Sequence, residues 1–122
     1  MKALLITLLL TTAANARQYI QCADSYSWDR TVINLDGEDS TLFMTTGLQD
    51  PDELRILKDL EFVGSGESFV TYKTAGLIEE TVVIPNEFVG IASNYFQVEI
   101  KQRNTQSNYE VTKSLGCFSS IH

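Results

Sequence analysis

The side chains with the most chemistry to offer in this 122-residue sequence are two cysteines, one histidine and sixteen acids. The histidine is His122, the last residue. From that position no buried Ser-His-Asp or Cys-His arrangement can be assembled, so nucleophilic catalysis of that kind is excluded and no catalytic residue is nominated. Cys22 and Cys117 are too far apart for the Cys-x-x-Cys spacing of a reactive dithiol and suit a structural disulfide in an oxidising compartment. Closing so long a loop is worth about 4 to 5 kcal/mol in the chain-entropy description. Once oxidised, the two thiols are lost as zinc or iron-sulfur ligands. Gly64-x-Gly66 lacks the third glycine and the following helix of a dinucleotide fingerprint, and no phosphate loop occurs, so no cofactor is expected.

The acids gather at Asp36, Glu38 and Asp39 and again at Asp50, Asp52 and Glu53. Asp36-Gly37-Glu38-Asp39 is the weak candidate for calcium, a hard cation that takes oxygen ligands, but neither cluster matches the twelve-residue calcium loop. Turn and cap chemistry accounts for them more simply: Asp36 sets a hairpin and Asp50 caps a helix. No metal site is therefore assigned. Two distant carboxylates meeting in a cleft is the form a hydrolase would have to take, and nothing in the sequence selects the pair. Tyr26 and Trp28 sit among polar residues in Asp24-Ser25-Tyr26-Ser27-Trp28-Asp29, and Tyr95 lies on the polar side of a strand. Large amphipathic rings in such places suit partner contact, or for Trp28 equally the plugging of a barrel end.

The elements that position these residues follow a leader. Met1-Lys2, the apolar run from Ala3 to Leu10 and Ala14-Asn15-Ala16 have the order of a secretory signal peptide, with cleavage expected after Ala16. The run is too short to span a bilayer, so after cleavage no membrane insertion is expected. Residues 17–122 then form a single domain that is periplasmic or secreted and expected to be monomeric. The whole chain carries −7, and removal of Lys2 with the leader makes the remainder more negative still. That sign opposes nucleic acid and points to a cationic protein if charge selects a partner.

Period-two alternation of apolar and polar residues dominates 17–122. Residues 31–35 and 42–44 flank Asp36-Gly37, a hairpin signal, and Phe62-Val63 and Phe69 to Tyr72 flank Gly64-Ser65-Gly66. Thr81 to Ile84 reads as a strand buried on both faces, ended by Pro85. Phe96, Val98 and Ile100 alternate with Tyr95, Gln97, Glu99 and Lys101, the first set facing the core. The strand that ends at Cys117 should lie beside the first. Asp50-Pro51-Asp52-Glu53, with Leu54, Leu57 and Leu60 following, predicts a short helix near 51–58. Residues 86–93 fit either a short strand or one helical turn. The expected fold is all-β, a small antiparallel up-and-down barrel or sandwich of about seven or eight strands.

The leader, Tyr19 to Cys22, the hairpin meander and the closing cysteine together resemble small periplasmic β-barrel proteins such as the membrane-bound or periplasmic C-type lysozyme inhibitors. In that family a Ser-Gly segment on a hairpin enters the lysozyme active site, so the resemblance makes Ser65 and Gly66 candidate partner contacts. The leading expectation is an exported binding or inhibitor-type module without catalytic machinery. The alternatives are a ligand carrier or carboxylate-dependent hydrolase with its site in the barrel mouth, and a structural envelope subunit.

Overall fold

Alternation translates directly into strands in the computed structural model, which describes residues 17–23, 30–45 and 55–122. Nine strands form one antiparallel sheet: β1 (Gln18–Ala23), β2 (Arg30–Leu35), β3 (Thr41–Thr45), β4 (Arg55–Asp59), β5 (Glu61–Ser65), β6 (Phe69–Lys73), β7 (Ile78–Pro85), β8 (Ser93–Asn104) and β9 (Glu110–Ile121). Their spatial order, β4-β3-β2-β1-β9-β8-β7-β6-β5, is a meander in which β9 returns to pair with β1. The two edge strands are consecutive in the chain and separated only by Leu60. The first half of this 55–65 stretch bonds to β3 and the second half to β6, so it serves as one bent stave. The outcome is a nearly closed up-and-down barrel, the first of the two architectures expected.

Successive side chains of a strand point to opposite faces, and the inward set is apolar. Ile20, Ile33, Leu42, Val82, Ile84 and Val98 are almost fully buried, and Phe96 and Ile100 join them while Gln97 and Glu99 face outward. Each such side chain contributes about 1.5 to 3 kcal/mol by leaving water. This apolar-in, polar-out order is the reverse of a lipid-facing barrel. Among the described residues no helix is long and apolar enough to cross a membrane.

Cys22 and Cys117 are directly opposed in the β1–β9 ladder and joined by a disulfide, both nearly buried. The β1–β9 seam, where the two ends of the sheet's chain meet, is thereby covalent. A bond of this kind persists most readily outside the reducing cytoplasm. The other weak line in the wall lies between β4 and β7, where no backbone ladder runs. There Lys58 reaches inward from β4 and its Nζ donates to Glu80 Oε1 at 2.7 Å and to the Ile78 carbonyl at 2.6 Å. Thr74 Oγ1 donates to the same carboxylate oxygen at 2.7 Å, and Gln102 Nε2 approaches the other at 3.4 Å. Glu80 is 1% exposed, and this polar knot replaces the missing ladder.

Three local expectations are corrected. The helix near 51–58 is a strand over 55–58, within β4, while 51–54 lie outside the described residues. Pairing with β3 decides the matter, because closing the barrel requires a stave at that place and tertiary pairing overrides a helical leucine spacing. The Thr81 to Ile84 run is not buried on both faces: Val82 and Ile84 point into the core and Thr81 and Val83 are half-exposed. The Asp36-Gly37 hairpin exists, but its loop runs from Asp36 to Ser40 through a 3-10 turn at Gly37–Asp39, entered by Gly37 at φ +57°. Residues 86–93 adopt the helical-turn alternative, a 3-10 turn at Asn86–Phe88, before β8 begins at Ser93.

Candidate functional site

The core does not fill the barrel to its end. A cavity of about 750 Å³ opens at one mouth, a size in the range of small-molecule sites. Its apolar wall is built from strand termini that read as ordinary core positions in sequence: Leu35 ends β2, Leu60 is the bend of the 55–65 stave, and Phe62 and Tyr72 are cross-strand partners in β5 and β6. The two rings meet edge to face with centroids 5.7 Å apart. Phe62 lines the cavity and is 61% exposed.

The segment after β7 forms one lip. Phe88 stacks on Phe96 at 4.6 Å, and Val89 and Gly90 reach the cavity. Gln18, inward-facing in β1, pins this lip: its Nε2 donates to the carbonyls of Phe88 (2.7 Å) and Ile91 (3.2 Å), and its Oε1 accepts from Gly90 N–H (2.8 Å). Ser119 Oγ donates to the Ile91 carbonyl at 2.6 Å. The opposite lip is the β2–β3 loop, held by Ser40, whose hydroxyl accepts from Asp36 N–H and donates to the Gly37 carbonyl. Arg17, Glu38 and Glu61 carry the charges of the rim. Arg17 pairs with Asp36 at 3.2 Å, whereas among the described residues Glu38 and Glu61 make no ion pair, Glu61 standing opposite Lys73 in the β5–β6 ladder. Among the described residues Tyr72 makes no hydrogen bond, and loss of water around its ring raises its phenol above the ordinary tyrosine value.

The residues singled out in sequence are scattered relative to this cavity. Tyr26 and Trp28 lie outside the described residues. Ser65 ends β5 and Gly66 begins its exposed turn, whose carbonyl accepts from Asn86 Nδ2 at 2.9 Å, so this hairpin tip is tied to the start of the lip segment. Tyr95 is 67% exposed on the outer face of β8, where its ring lies over Gly116. Of the calcium candidates, Glu38 lines the cavity rim and Asp36 is engaged by Arg17. Among the described residues no group of three or more His, Cys, Asp or Glu side chains is placed to hold a metal ion. The buried carboxylate, Glu80, is committed to Lys58, Thr74 and Gln102.

The sequence offered a barrel-mouth site as an alternative but marked none of its apolar wall, because Leu35, Leu60, Phe62 and Tyr72 have the type of core residues. A faint signal was present in Phe62 and Tyr72, two aromatics that flank one hairpin. No family model, curated protein or solved structure matches the chain.

Proposed function

We propose that this chain is an exported, non-catalytic binding domain that holds a small, largely apolar ligand in the mouth of its barrel. The cavity between Leu35, Leu60, Phe62, Tyr72 and Val89 carries the reading: it is preformed, of ligand size and lined mostly by apolar groups. The leader and the disulfide support export. The test is titration of the purified protein with the neutral apolar dye N-phenyl-1-naphthylamine. Fluorescence should rise saturably, and Val89→Trp, which places a large ring at the lip, should abolish the rise while leaving the circular dichroism spectrum unchanged. Absence of saturable binding to the parent protein would sink the proposal.

A cationic protein partner is the second reading, favoured by the exposed Tyr95 over Gly116 on the outer sheet face and by the exposed Ser65-Gly66 tip on this acidic chain. Capture of a basic protein from envelope extracts, lost at high salt and weakened by Tyr95→Ala, would move the site from the mouth to the wall.

A further inference from the structure

The mouth cavity has a charge pattern as well as a size, and the two together specify the chemistry of an occupant. We infer that the ligand is an amphiphile with an apolar body and one cationic head, an inference that rests on the barrel-mouth reading above.

The body follows from the state of the polar wall groups. Gln18 spends its amide on three bonds to the lip segment, and Ser40 both donates and accepts within its own loop. Neither has a hydrogen bond to spare without releasing a lip, so a polar body would enter the cavity uncompensated. The Leu35, Leu60 and Val89 surface instead gains by losing water to an alkyl or aromatic group.

The head follows from the rim. Arg17 would attract an anion, but Asp36 already occupies it at 3.2 Å. Among the described residues Glu38 and Glu61 make no ion pair, and although Lys73 stands opposite Glu61 in the β5–β6 ladder, the acids Asp36, Glu38 and Glu61 outnumber Arg17 and Lys73, which leaves the entrance net negative. Just inside stand the exposed face of Phe62 and the unbonded hydroxyl of Tyr72. An aromatic face attracts a quaternary ammonium, and a phenol oxygen accepts from a protonated amine. The carboxylates, ring and hydroxyl all favour positive charge at the entrance, which is where a bound amphiphile would carry its head.

The experiment is displacement of N-phenyl-1-naphthylamine from the purified protein by three twelve-carbon amphiphiles, each below its micelle concentration. They are dodecyltrimethylammonium, dodecyldimethylamine N-oxide and dodecanoate, at pH 8 and at low and high salt. The expected order is ammonium, then N-oxide, then dodecanoate. Two exposed carboxylates should give the ammonium an advantage over the N-oxide of about fivefold to tenfold at low salt. That advantage should shrink at high salt and in Glu38→Gln/Glu61→Gln, two exposed sites where the exchange leaves thermal unfolding unchanged. Equal displacement by all three, or tightest binding of dodecanoate, overturns the cationic head while leaving the apolar site standing. Failure of the dye itself to bind overturns the site.

Discussion

Lys58 carries a charge into the barrel wall, and its worth depends on what it leaves behind when removed. Lys58→Ala strands the Glu80 carboxylate at 1% exposure with only Thr74 and Gln102 as partners, so a loss of about 2 to 4 kcal/mol in urea unfolding is expected. Glu80→Gln keeps a hydrogen-bonding group against Thr74 and should cost less. Tyr72 offers a spectroscopic counterpart. Desolvation holds its phenol above the ordinary value of about 10, so the folded state binds its proton more tightly than the unfolded chain does. The stabilisation is therefore complete below the unfolded value and is lost as pH rises through the folded one. Phenolate absorbance should include a late-titrating tyrosine that disappears in Tyr72→Phe, and an apolar occupant, by excluding more water, should move it later still. At this scale the sequence is least legible: an inward lysine in an apolar stave and a core tyrosine that lines a cavity obey no local rule that separates them from a surface lysine and a packed ring.

The bent stave and the pinned lip are properties of elements. Gln18 makes the three bonds that hold the segment from Phe88 to Ile91, so Gln18→Ala should raise hydrogen exchange over residues 86–92 well above that of β8. The same change should lower global stability by about 1 to 2 kcal/mol. Protection unchanged in that segment would mean that Ser119 and the Phe88–Phe96 stack suffice to hold it. Strands with strict alternation were legible, as the buried Phe96, Val98 and Ile100 illustrate, and so were both hairpins flanked by glycine. The stave at 55–59 was not, because its leucine spacing fits a helix. In the strand the alternation Ile56, Lys58, Leu60 points inward and includes a lysine, and only the ladder with β3 makes sense of it. The mouth inherits that gap, since Leu60 and Phe62 belong to the same bent stretch.

For the molecule as a whole, the seam between β1 and β9 unites compartment and stability. Cleavage after Ala16, as the proposed export requires, predicts an intact mass that begins at Arg17, whose backbone N–H donates to the His122 carbonyl at 3.0 Å. Double replacement Cys22→Ser/Cys117→Ser should cost about 2 to 5 kcal/mol. Because both sulfurs are nearly buried, reduction of the parent protein by dithiothreitol should be slow in buffer and accelerate with urea, followed by thiol labelling. Fold class and disulfide were legible at this scale because composition, strand alternation and cysteine spacing need no knowledge of the interior. The same seam governs how the chain finds its fold. Neighbours in the meander meet through short loops, whereas β1 and β9 must find each other across a separation of 95 residues. That pairing is the slow, high-contact-order event, and a retained Cys22–Cys117 bond completes it in advance. The oxidised chain should then refold as a ring of hairpins already tied at its hardest knot, while the reduced chain waits on a long-range search.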